Sequence, residues 1–261
     1  HTNSGTISEL VAINTGVVVE VSGTTSGSIE SINATNSGLI LRAYGDQSGM
    51  TYSDINANTA TQLFDLTDSM SLTIDDIQGT SIDSLLLANS ADALEISNMQ
   101  IYDTQSVLLA MNIATSGSVS ISDTTISGYS QTFSFSGGGD FILDETTFQA
   151  NGKVGQLSSS STLSINGGEW SGASGGLYTQ HSSLTVEDLN ISVGDGHGTA
   201  LRILGGSLNT LGEVNLIHEA QWSDTTSIGL HVIWSDVIAE TVNIAGFSTG
   251  VSCEATSTLS I

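Results

Sequence analysis

Apolar side chains recur along this chain in one short phrase, apolar-x-apolar-x-polar-x-x-apolar. It reads Leu94-x-Ile96-x-Asn98-x-x-Ile101, Val119-x-Ile121-x-Asp123-x-x-Ile126 and Phe141-x-Leu143-x-Glu145-x-x-Phe148, then Leu163-x-Ile165-x-Gly167-x-x-Trp170 and Leu184-x-Val186-x-Asp188-x-x-Ile191. A looser copy, Val237-x-Ala239-x-Thr241-x-x-Ile244, follows, and Leu259-x-Ile261 opens another. Near the start, Ser4-Gly5-Thr6-Ile7 returns as Ser26-Gly27-Ser28-Ile29. Repeat starts fall at Ile7, Ile29, Met50, Leu72, Leu94, Val119, Phe141, Leu163, Leu184, Leu208, Val237 and Leu259, spaced 22, 21, 22, 22, 25, 22, 22, 21, 24, 29 and 22.

Alternation at period two places neighbouring side chains on opposite faces of a strand. A second apolar run lies between the phrases, as in Leu85-Leu86-Leu87, Val107-Leu108-Leu109, Phe133-x-Phe135, Leu201-x-Ile203 and Ile228-x-Leu230-x-Val232. Each repeat therefore predicts two or three short strands joined by Gly, Ser, Asn and Asp turns. A unit this small cannot bury its own apolar face, but stacked coils can, with like positions piled about 4.8 Å apart. Twelve such coils make a rod on the order of 55 Å long. Helical repeats need a 3.6 period and a richer supply of Lys, Arg and Glu, and a sandwich gives no fixed register. The fold class expected is all-β, a parallel solenoid of about twelve coils, with 1–261 as a single domain.

These repeats resemble the right-handed parallel β-helix families, the pectin-lyase-like superfamily with its degenerate repeats of similar length. The resemblance covers almost the whole chain and implies right-handed coiling. It does not specify chemistry, since lyases, hydrolases, tailspikes, autotransporter passengers and surface proteins share the architecture. Lyases of this type use a cationic base and carboxylate-held calcium. The cationic side chains are Arg42, Lys153 and Arg202, expected to lie far apart in the coil register. Gly196-His197-Gly198 and Arg202-Ile203 resemble pieces of polygalacturonase-like hydrolases, whose paired carboxylates sit on neighbouring coils. One repeat upstream of His197, Gly172-Ala173-Ser174-Gly175-Gly176 holds no carboxylate, so the match stops where the catalytic groups belong.

Charge narrows the partners. With 27 Asp plus Glu, 3 Lys plus Arg and a net charge of −24, the chain cannot neutralise a row of phosphates or an anionic membrane surface. No apolar stretch is long enough to cross a membrane as a helix. The lone Cys253, in Gly250-Val251-Ser252-Cys253, reads as a small buried apolar residue. The sequence opens at His1 and closes within a strand at Ile261, as a segment of something longer would. An open coil end leaves strand edges unpaired, so adjoining coils or copies of the chain are expected there.

The remaining chemistry is sparse. Asp75-Asp76 follows Leu72-x-Ile74 at the corner where Asn98, Asp123, Glu145 and Asp188 recur, the usual place for polar side chains that bond turn backbone. Stacked carboxylates repel unless screened, which makes calcium the one cofactor to consider, at Asp75, Asp76 and Asp140. Ser136-Gly137-Gly138-Gly139-Asp140 is a single faint copy of a calcium-solenoid turn. Trp222, Asp224 and Trp234 lie in the longest repeat and offer stacking and carboxylate chemistry to a glycan. Asn33-Ala34-Thr35 and Asn190-Ile191-Ser192 are glycosylation sequons, usable outside the cytoplasm. The sequence thus reads as a non-catalytic extracellular or cell-surface structural module, with a carbohydrate-active or glycan-binding protein as the alternative.

Overall fold

The computed structural model describes residues 3–67, 71–89, 92–103, 109–194, 198–206, 208–219 and 226–261. They form a right-handed parallel β-helix of about eleven turns, with no helices. Strands pair in parallel with the equivalent strand of a neighbouring coil, and three columns of strands make three faces. In the second coil one continuous strand, Thr25–Tyr44, passes over all three faces. In the eighth, Thr162–Gly172 covers the first and second faces and Gly175–Gln180 the third.

Repetition of the polar position in the phrase explains the first bend. Ser31, Asp54, Asp76, Asn98, Asp123, Glu145 and Gly167 occupy it on seven successive coils, all with φ between 47° and 89°. This left-handed conformation costs most side chains roughly 1–2 kcal/mol, and short polar side chains tolerate it best. A sharp one-residue bend is thereby repeated without glycine at most levels.

The interior is a set of continuous columns. Leu94, Val119, Phe141 and Leu163 are paired in register, and each is 1% exposed. The column runs on through Leu184 and, further along, through Val237 and Leu259. Three expected anchors differ. Ile7 and Ile29 pair with each other and then with Tyr52, so they belong to the second inward column, that of Ile74 and Ile96; Gly5 and Gly27 lead the column of Met50. Leu208, by contrast, does not point inward. Asn209 takes the place between Leu184 and Val237, while Leu208 is 54% exposed. Asn209 is tolerated in the core because its Oδ1 accepts from Leu184 N at 3.0 Å and its Nδ2 donates to Ser235 Oγ at 2.7 Å.

Volume is conserved along the second face by exchange between its two inward columns. In the early coils Ile32, Ile55 and Ile77 stand beside Ala34, Ala57 and Gly79. In the later coils Thr146 and Gly168 stand beside Phe148 and Trp170. Large and small residues change places, and the interior stays filled. Phe133, Phe135, Phe141, Phe148 and Trp170 form one aromatic cluster, with ring centroids 4.5 Å apart for Phe133–Phe135 and 5.4 Å for Phe148–Trp170. Gly155 lies above Phe133, where an added Cβ would come within 2.0 Å of the ring.

Cys253 departs from expectation. It does stand in an inward column, stacked on Val232, but it is exposed because among the described residues Thr249–Glu254 pairs on one side only.

Candidate functional site

The second face carries the most developed surface. Its outward column runs Asn33, Asn56, Gln78, Gln100, Thr125, Thr147, Glu169, Asn190, Asn215 and Asn243, one residue per coil. A parallel column two residues on begins Thr35, Asn58, Thr80, Tyr102. Between them lies a groove of about 280 Å³ over coils two to four, lined by Asn33, Thr35, Asn56, Asn58, Gln78 and Thr80 with Ala34, Ala57 and Gly79 beneath. No charged side chain lines it. A second groove of about 390 Å³ lies further along the same face, and Glu169 and Glu219 both line it.

The two halves of the column differ in how their amides are used. Asn243 Nδ2 donates to Asn215 Oδ1 at 2.8 Å, Asn215 Nδ2 to Asn190 Oδ1 at 2.7 Å, and Asn190 Nδ2 to Glu169 Oε1 at 2.7 Å. This relay spans four coils. In the first groove the side chains of Asn33, Thr35 and Gln78 have no hydrogen-bond partner among the described residues, and Asn56 makes one bond, to Asp54 Oδ1 at 3.2 Å. The sequons divide the same way: Asn33 is exposed and free, whereas the Asn190 Nδ2 that a glycan would occupy already donates to Glu169.

The third face gathers the cations. Arg42 sits between Glu20 at 3.5 Å and Asp65 at 3.3 Å. Lys153 and Arg202, expected from the repeat spacing to lie far apart, share one ring: Lys153 Nζ lies 5.6 Å and Arg202 Cζ 6.0 Å from the Tyr178 ring centre. The ring's negative face accommodates both charges. Lys153 Nζ also donates to Gln156 Oε1 at 2.7 Å, and partial burial holds its pKa below the usual lysine value. His231 follows Arg202 in register and meets Glu254 at 3.0 Å.

The carboxylates considered for calcium are not brought together. Asp75 and Asp76 are at the first bend of the fourth coil, where Asp75 accepts from Ser97 Oγ at 2.6 Å and Asn98 Nδ2 at 2.8 Å. Asp140 stands three coils further along, in register with Ser118, Ala93 and Ser71, and accepts from Thr162 Oγ1 at 2.5 Å. Among the described residues no three His, Cys, Asp or Glu side chains are grouped as metal ligands. Glu219 is six coils from Asp75, so these acids do not share a groove. Trp222, Asp224, Asp195 and His197 lie outside the described residues.

Trp234 is 61% exposed and left-handed, with φ of 50°. It follows Ile233, whose register partners Leu204 and Glu254 are followed in turn by Gly205 and Ala255, residues with almost no side chain. His181, one coil further along the column, leans over Gly205, its Nδ1 being 2.7 Å from where a Cβ would stand.

Sequence reasoning passed over the amide column and the Tyr178 bracket. A signal existed for the first: the residue just before the last apolar position of each phrase is Gln100, Glu169, Asn190, Asn215 or Asn243 in half the coils. Comparisons with protein-family models, curated proteins and solved structures return no match to this chain. No helix among the described residues is long and apolar enough to cross a membrane.

Proposed function

We propose that this chain is an extracellular structural module, a rod-like stretch of a cell-surface, filament or adhesive-stalk protein related to the pectin-lyase-like β-helices. The observation that carries this reading is the unbroken stacking of interior columns beneath outward side chains that tie coil to coil. Arg42 bridges Glu20 and Asp65 on its neighbours, Asp75 holds Ser97 and Asn98, and the Asn243-to-Glu169 relay joins four levels. A solenoid gains length by adding levels without changing its cross-section, which suits a spacer. Antibodies raised against the folded rod should label intact, unpermeabilised source cells. Labelling only after permeabilisation would refute the surface assignment.

A second reading, a glycan-binding module, is favoured by the two grooves on the second face and by the exposed Trp234. Polar groups that fix orientation over an extended groove are how such ligands are held. A carbohydrate-active enzyme would in addition need two carboxylates about 5 to 9.5 Å apart at the scissile bond. Binding to an immobilised glycan panel separates this reading from a purely mechanical rod.

A further inference from the structure

We infer that the groove over Ala34, Ala57 and Gly79 is a docking site for an uncharged polyhydroxyl chain, a neutral glycan lying along the helix axis against Asn33, Asn56 and Gln78. The inference rests on the glycan-binding reading and assigns it a place and a ligand class. Three observations carry it. The groove is lined by amides and hydroxyls and by no charged group, in a chain whose net charge is −24. Anionic polymers are repelled by that field, and a cationic one finds no carboxylate lining this groove. A neutral chain meets neither obstacle.

The second observation is unused hydrogen-bonding capacity. Each amide both donates and accepts, as a sugar hydroxyl does. Further along the same column these groups satisfy one another, Asn243 to Asn215 to Asn190 to Glu169, whereas Asn33 and Gln78 have no side-chain partner among the described residues. Third, the lining residues repeat in register from coil to coil, Asn33 with Asn56 with Gln78 and Thr35 with Asn58 with Thr80. A ladder with a rung about every 4.8 Å suits a ligand that is itself a repeat of similar rise.

The test measures binding of uncharged oligomers of glucose, galactose, mannose and N-acetylglucosamine, alongside uronate- and sulfate-bearing oligomers, by calorimetry on the intact chain. The proteins compared are the unaltered chain, the double variant Asn56→Ala/Gln78→Ala, and Asn190→Ala in the other groove. All three substituted side chains point outward, and thermal melts verify that the variants fold. The expected result is an uncharged oligomer that binds, with affinity about tenfold or more weaker in the double variant and unchanged in Asn190→Ala. Equal binding by all three proteins would overturn this groove as the site while leaving glycan binding in place. Binding of charged oligomers alone would overturn the neutral ligand, again leaving glycan binding. Binding of none would overturn both.

Discussion

Trp170 donates its indole N–H to Thr146 Oγ1 across 3.0 Å, from one coil to the coil beneath, inside a core where neither residue is more than 2% exposed. Gly168, stacked on Thr146, leaves the room the indole needs: a Cβ there would lie 2.9 Å from Trp170 Nε1 and 3.2 Å from the Thr146 carbonyl oxygen. Thr146→Val preserves the shape and removes the acceptor, stranding a buried N–H, which costs about 1–3 kcal/mol. Gly168→Ala forces the ring or the sheet to move and is expected to destabilise by a similar amount. Urea unfolding of both variants measures this. A Thr146→Val protein as stable as the parent would show that the indole finds another acceptor.

Acid should loosen the first bend. Hydrogen bonds from Ser97 and then Asn98 hold the Asp75 carboxyl below its usual pKa, with a further bond from the Asp76 backbone. A carboxylate with a depressed folded-state pKa stabilises the fold fully above its unfolded-state value, near pH 4, and that contribution fades as pH falls through the lower folded-state value. Asp75 is largely solvated, so the effect is small and best read as a difference. Ser97→Ala should flatten the acid limb of the stability-against-pH curve and leave the neutral region shifted by a constant. Parallel curves for parent and variant down to about pH 2 would remove Asp75 from the account.

The architecture was legible because stacking makes the sequence state the same fact many times. One phrase is weak, but Leu94, Val119, Phe141 and Leu163 in a fixed register leave little choice of fold. Phase was harder to read. Ile7 and Ile29 occupy the second inward column because Gly5 and Gly27, which carry no side chain to mark the first, precede them. The insertions before Asn209 hid its place, since a polar residue satisfied by Leu184 and Ser235 is invisible to an apolar pattern. Surface chemistry was least legible. Lys153 and Arg202 are 49 residues apart in sequence yet share Tyr178, because one coil advances the chain by about 22 residues and the axis by only one strand spacing.

Trp234 holds a strained backbone in the open. A bulky side chain at φ of 50° is uncommon, and strain of this kind persists where surrounding structure or function maintains it. Asn is the natural occupant of such a bend, as Asn98 illustrates. Trp234→Asn should therefore raise stability by up to about 1 kcal/mol, since the exposed indole gives up little buried area. Calorimetric melts of the two proteins decide it. A loss of stability would mean that the indole packs on its neighbours and that its exposure has no bearing on ligands.

Asn209 offers the sharpest test of how the register is kept across the longest interval, from Leu184 to Val237. Its side chain caps the Leu184 N–H below and binds Ser235 above, so one amide joins three coils where the other levels use an apolar contact. Asn209→Leu restores the apolar column but leaves the Leu184 N–H and the Ser235 hydroxyl without these bonds, and the lost partners outweigh the added apolar area by about 1–3 kcal/mol. Asn209→Asp keeps an acceptor for Leu184 N–H and loses the donor to Ser235, with a buried charge added, and is expected to be worse at neutral pH and to recover as pH falls towards protonation of the carboxyl. Hydrogen exchange at Leu184 in the Asn209→Leu protein reads the local effect directly: faster exchange there, with slow exchange kept at Ile121 and Leu143, is the expected outcome. Unchanged protection at Leu184 would show that the strand pairing alone holds this part of the rod.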